Sequence, residues 1–144
     1  MYLNLLISRI LSKISFMNKQ GKIVINADVN VWPHEIETAK ALASSGKMIE
    51  FVPKNEGKRE TSPDILMDGK LWEIKSPKSS NLKVVQKRLR EALHQSENVV
   101  FDSRRMKKVP DNAIRREVEK WSHKLRSLQS LIYVSKTGDV EVLK

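Results

Sequence analysis

Apolar positions recur with two different periods along this chain, and the switches between them order the predicted elements. In "PHEIETAKALASSG", Pro33 at the start, carboxylates in the first turn and Gly46 as a stop predict a helix over 33–45, with Ile36, Ala39, Leu42 and Ala43 on one arc. "MIEFV" then predicts a short strand, and the polar, turn-rich "PKNEGKRETS" a basic loop. "DILMDGKLWEIK" predicts two strands around Asp68-Gly69, a dipeptide suited to a two-residue type I′ turn. "NLKVVQKRLREALHQS" repeats Val85, Leu89, Ala92 and Leu93 along one helical face, and "NVVFD" is a buried strand by its apolar run. After the basic loop "SRRMKKVP", "DNAIRREVEKWSHKLRSL" aligns Ile114, Val118, Trp121 and Leu125 as a further amphipathic helix. "SLIYVSKTGDVEVL" closes the chain as a hairpin around Thr137-Gly138-Asp139. Upstream, "KIVINADVNVW" reads as a strand or an extended connector.

Helix, strand, hairpin, helix, strand, helix and hairpin in that order predict an α/β (α+β) domain: a single mixed β-sheet with helices packed on it. The opening "MYLNLLISRILSKISF" sets Leu3, Leu6, Ile7, Ile10, Leu11 and Ile14 on one face, but Arg9 and Lys13 make it too charged to span a bilayer. Residues 1–29 are therefore assigned to an amphipathic helix and connector, and 30–144 to the domain itself, with no transmembrane segment. A length of 144 residues supports one modest core. The net charge of +10 favours a polyanionic partner, with a merely solvated basic surface as the alternative. Lack of cysteine excludes disulfides, thiolate metal sites and a Cys nucleophile.

Charge inside the central hairpin is the feature that needs a chemical reason. A two-residue turn at 68–69 pairs Met67 with Lys70, Leu66 with Leu71, Ile65 with Trp72 and, one step on, Asp64 with Glu73. Alternation puts Glu73 and Lys75 on one face, away from Trp72 and Ile74. Two acids would then stand with side-chain roots roughly 5 Å apart, an unfavourable arrangement without a cation, a shared proton or Lys75 to compensate. Glu35 falls inside the apolar arc of the first helix, so it either joins this polar cluster or favours the helix dipole. Arg88 and Gln95, seven residues apart, either reach the same face or border solvent.

Pro63-Asp64 followed by Glu73-Ile74-Lys75 resembles the motif of the PD-(D/E)xK nucleases, in which two acids bind a divalent metal and the lysine activates water. That resemblance implies a nuclease-like αβββαβ core, here followed by a C-terminal helix and hairpin. Over residues 30–144, "HEIETAKALASSGKMIEFV", "SPDILMDGKLWEIKSP" and "HQSENVVFDSRR" resemble the C-terminal toxin domains of CdiA-type contact-dependent inhibition proteins. Many such domains cleave transfer RNA, and they stand either beside the PD-(D/E)xK fold or beside the metal-free barnase/EndoU/colicin/RelE-like ribonucleases. The resemblance thus implies a toxin-like ribonuclease acting in the cytoplasm, delivered there as a toxin, with a cognate immunity protein as partner.

Two mechanisms fit these residues. In one, Asp64 and Glu73 hold Mg²⁺, with Glu35 nearby, and Lys75 positions the attacking water. In the other, no cofactor is used: the RNA 2′-hydroxyl attacks its own phosphate, Glu73 or His34 takes the proton, and Lys75 with Arg104 or Arg105 holds the charge. Lys78, Arg88, Gln95, Arg104 and Arg105 are the expected substrate contacts, drawn from the basic loops and the helix that follows the motif. A metal-dependent DNA endonuclease and a non-catalytic nucleic-acid-binding module are the rival functions. His94 and His123 lie on polar helical faces and read as solvated. Trp32, Trp72 and Trp121 read as packing rather than as base-stacking platforms, Trp32 being the least constrained because it sits in a connector.

Overall fold

The computed structural model describes residues 21–54 and 62–144. The predicted N-terminal amphipathic helix, and the basic loop from residue 55 onward, lie outside the described residues. Strand β1 (Lys22–Val24) precedes helix α1 (Pro33–Ser44), then β2 (Met48–Phe51) and the hairpin β3 (Ile65–Met67) and β4 (Lys70–Lys75). Helix α2 (Lys83–Ala92), β5 (Asn98–Asp102), α3 (Asp111–Lys124), β6 (Ser130–Val134) and β7 (Val140–Val142) complete the order. The strands form one seven-stranded mixed sheet in sequential order. Pairing is parallel between β1 and β2 and along β4, β5 and β6, and antiparallel at β2–β3, β3–β4 and β6–β7. The expected mixed sheet with packed helices is therefore found, and the ambiguous "KIV" is its first strand. Gly21 permits this entry, because a Cβ there would lie 1.6 Å from the Lys47 carbonyl oxygen.

Period-two alternation delivers the strands' side chains to two cores. Ile49, Phe51, Ile65, Met67, Trp72, Ile74, Val100 and Ile132 pack with Ala39 and Leu42 of α1. On the other face Val99, Phe101, Leu131 and Tyr133 pack with Val85 and Leu89 of α2 and with Ile114 and Val118 of α3. Each fully buried side chain of this size contributes about 1.5–3 kcal/mol. Because β4 is fourth of seven and helices cover both faces, Glu73 is only 7% exposed.

The hairpin turn is as expected: Asp68 and Gly69 both have positive φ, 54° and 72°, and Ile65–Trp72, Leu66–Leu71 and Met67–Lys70 are the pairs. The ladder does not continue to an Asp64–Glu73 pair. Instead the Asp64 N–H donates to the Trp72 carbonyl at 3.0 Å, and the Ile74 N–H donates to Asp64 Oδ2 at 2.8 Å. Pro63, which would face Ile74 in this register, has no N–H to donate to the Ile74 carbonyl, so the ladder does not extend past it. The Asp64 carboxylate takes over as acceptor for the freed Ile74 N–H.

Candidate active site

Topology gathers the polar residues at one end of the sheet. Parallel β4 and β5 finish there, β2 leaves there, β3 enters there, and α1, running back toward the start of β2, begins there. The result is a cleft of about 470 Å³ lined by His34, Glu35, Lys54, Asp64, Glu73, Lys75, Lys78, Arg88 and Arg105, together with Trp32. Eight of the ten expected site residues thus share one cavity.

Two linked groups of charge occupy it. Glu35 accepts the Trp32 N–H at 3.3 Å through Oε2 and an ion pair from Lys54 at 3.4 Å through Oε1. Both readings of Glu35 therefore hold together, as a carboxylate at the helix start and as a member of the cluster. Lys54 also lies 3.5 Å from Asp64 Oδ1. Burial works against the Lys54 charge, but the Glu35 and Asp64 carboxylates outweigh it and hold the ammonium above its ordinary value. Deeper in, Lys75 Nζ is 3.3 Å from Glu73 Oε2. Burial first, then a hydrogen bond with Asp64 and that neighbour's negative charge, push the Glu73 carboxyl up to about 8, against the pull of Lys75. The Glu73 carboxyl therefore favours its protonated form at neutral pH, beside Asp64.

His34 sits at the rim, where burial and the Arg105 charge lower its pKa and favour the neutral imidazole. Lys78 is exposed, while Arg88 is half-buried and also pairs with Glu91 at 2.7 Å. Arg104 is not in the cleft. Its guanidinium holds the 2% exposed Asp102 at 2.8 Å and donates to the Glu37 carbonyl at 2.8 Å, which makes it a tie between the end of β5 and α1. Thr38 Oγ1 donates to the same Asp102 carboxylate at 2.6 Å. Gln95 is also elsewhere: it follows α2 at the other end of β4, where its neighbours Ser96 and Asn98 donate to the Leu71 carbonyl. Seven residues along a helix advance about 10 Å, which carries Gln95 away from Arg88 and the cleft.

Two cleft residues were not anticipated. Lys54 was hidden in a basic loop, and its signal was positional: the Val52 N–H donates to the Asp64 carbonyl at 3.0 Å, so residues just past β2 must lie beside the acid. Trp32, expected to pack, is 63% exposed at the rim.

The donor chemistry at Asp64 and Glu73 suits a hard divalent cation, because a cation could take the place of the Glu73 proton beside Asp64. Among the described residues no group of three or more His, Asp and Glu is arranged to hold a metal. Water or substrate oxygens would have to complete such a shell.

The architecture is that of a small α/β domain with an acid–lysine cleft at the end of a mixed sheet. Residues 61–140, more than half of the chain, match the model of the contact-dependent growth inhibition CdiA C-terminal domain, and the chain belongs to that family. The resemblance carried by "SPDILMDGKLWEIKSP" and "HQSENVVFDSRR" is thereby borne out. A chain of a CdiA-CT/CdiI toxin and immunity complex from Burkholderia pseudomallei has a similar fold, with a TM-score of 0.65 and 18% identity over 85% of this chain and 99% of that one. No curated protein matches. No helix among the described residues is long and apolar enough to cross a membrane.

Proposed function

We propose that this growth-inhibition domain is a ribonuclease, with transfer RNA as its favoured substrate, and that the Asp64–Glu73–Lys75 cleft is its active site. The observation that carries the reading is the buried acid pair with an ammonium 3.3 Å from Glu73, inside a cleft rimmed by Lys54, Lys78, Arg88 and Arg105. A fold has no packing reason to bury two adjacent carboxylates, and phosphodiester cleavage has a use for them. RNA is favoured over DNA on the family resemblance.

Lys54, Lys78 and Arg105 hold the backbone phosphates flanking the cut. Asp64 and Glu73 would hold Mg²⁺, which supplies Lewis-acid charge at the phosphate when bound. Lys75 donates to a non-bridging oxygen and orients the water that attacks phosphorus. The bond to the leaving oxygen breaks, and that oxygen takes up a proton. A metal-free route is supported by a separate observation: Lys54 lies 3.5 Å from Asp64 and Lys75 3.3 Å from Glu73, and His34 is held toward its neutral form. There the substrate's 2′-hydroxyl attacks phosphorus, the neutral His34 accepts its proton, the bond to the 5′-oxygen breaks with that oxygen taking up a proton, and Lys75 with Arg105 holds the developing charge.

Purified protein assayed on tRNA and duplex DNA, each with Mg²⁺ or EDTA, separates these routes. Cleavage of tRNA that EDTA abolishes supports the metal route, and cleavage that survives EDTA supports the 2′-hydroxyl route, which DNA cannot follow. Cutting of DNA alone would make the domain an endonuclease of the other kind. Binding that persists in Lys75→Ala, with no cleavage by the parent, would reduce the cleft to a binding module. The similar chain's complex with an immunity protein supports a cognate inhibitor for this domain too, and delivery to the cytoplasm of a target cell as its route of action.

A further inference from the structure

We infer that the exposed indole of Trp32 is a stacking platform for an unpaired base, so that the cleft takes single-stranded RNA, a loop or an open end, in preference to a duplex. The inference rests on the nucleic-acid reading of the cleft and adds to it a substrate class. Of the three tryptophans, two are absorbed by the fold. Trp72 is 4% exposed, with Nε1 donating to the Met67 carbonyl at 2.9 Å. Trp121 is half-buried, with Nε1 on Glu117 at 2.9 Å and the Arg90, Lys120 and Lys124 cations over its ring. Trp32 is 63% exposed and lines the same cavity as Asp64 and Glu73.

Its backbone is fixed although its ring is open. Pro33 restricts Trp32 to extended geometry, and it adopts φ −73° and ψ 147°. The Trp32 N–H is held by Glu35 at 3.3 Å, and its carbonyl accepts from the N–H groups of Glu35 and Ile36 at 3.0 and 3.1 Å. The Glu35 carboxylate that anchors this backbone also reaches Lys54, which touches Asp64. The ring is therefore positioned relative to the acids, with only its two side-chain torsions left free. An aromatic face beside cations that hold phosphates is the pairing by which proteins bind single strands, and bases inside a duplex have no free face to offer it.

The test is binding without cleavage. In a Glu73→Gln background, anisotropy of a short fluorescein-labelled RNA without secondary structure is compared with the same strand annealed to its complement, in EDTA. Trp32→Ala is expected to weaken single-strand binding about 5- to 150-fold, to leave duplex binding unchanged, and to be largely rescued by Trp32→Phe. Equal loss for both RNAs, no loss, or no rescue by Phe overturns the inference. Failure of the nuclease reading is distinguishable: Trp32-dependent single-strand binding by a parent that cuts neither tRNA nor DNA leaves the platform standing and removes the catalysis. Cleavage of tRNA with single-strand affinity indifferent to Trp32 does the reverse.

Discussion

Replacing Glu73 with Gln should make the domain progressively more stable than its parent as the buffer becomes more alkaline. The Glu73 carboxyl is raised from an ordinary 4.5 to about 8 by burial and by Asp64. Below the lower value, folded and unfolded chains both carry the proton, and the buried site costs nothing extra. Between the two values the unfolded chain releases the proton while the folded chain keeps it, so each pH unit removes about 1.4 kcal/mol of parent stability. Above about 8 the loss is complete. The whole window amounts to about 5 kcal/mol at most, and solvent at the open side of the cleft brings the expected loss to on the order of 3 kcal/mol. That is a large share of an ordinary domain's stability. The amide introduced by Glu73→Gln stays neutral throughout, so the difference between variant and parent should grow from near zero at about pH 5 to its full size above about pH 8. Urea unfolding of both proteins in EDTA at matched ionic strength measures it, and subtraction removes groups common to both. Parallel stability curves across the window would refute the crowded-acid account of the site. Adding Mg²⁺ should flatten the parent's decline and leave the variant's curve unmoved, if a cation takes the place of the Glu73 proton.

Three further outcomes follow from the same geometry. Lys75→Ala should lower tRNA cleavage about 10²–10³-fold, as loss of a charge-stabilising donor does, with folding retained by circular dichroism; full cleavage would move the active site elsewhere. Arg104→Ala should lower unfolding stability by about 3 kcal/mol in urea, because it leaves Asp102 buried with less compensation, yet cleavage per folded molecule should persist. An unchanged midpoint would contradict the structural assignment of this arginine. Gly69→Ala should cost about 1–2 kcal/mol through its φ of +72° alone, since nothing lies within 4 Å of the added Cβ; a neutral result would speak against the turn geometry.

Local rules reached the hairpin and stopped where tertiary pairing took over. Asp68-Gly69 dictates its turn through backbone sterics that two residues decide, so the three cross-strand pairs were legible from the chain alone. The next step was not, because the ladder ends at Ile65 and the Asp64 side chain accepts the Ile74 N–H. Asp64 and Glu73 still meet, through their side chains rather than through strand register. Helical phase placed Glu35 on the inner arc but could not choose between its two roles, and it performs both. Gln95 and Arg104 were misplaced for different reasons. Gln95 lies past the end of α2, a boundary that periodicity marks poorly. Arg104 was claimed by an aspartate two residues before it, a local pairing that a charge count does not show.

The site's location follows from the change of strand direction around β4. An antiparallel neighbour brings a chain entrance, with Asp64, to the end where β4 delivers Glu73 and Lys75. A parallel neighbour brings a chain exit, with Arg105, to that same end. Neither an all-antiparallel meander nor an all-parallel sheet would combine these from such short connections. Asp64 with Lys54, and Arg105, are thus supplied from opposite sides of one strand, while the start of α1 contributes Glu35 and Trp32 from a third direction. β4 alone carries Glu73 and Lys75. The cost of the site is concentrated in one place, the Glu73 carboxyl, which burial and Asp64 hold well above the ordinary carboxylate range.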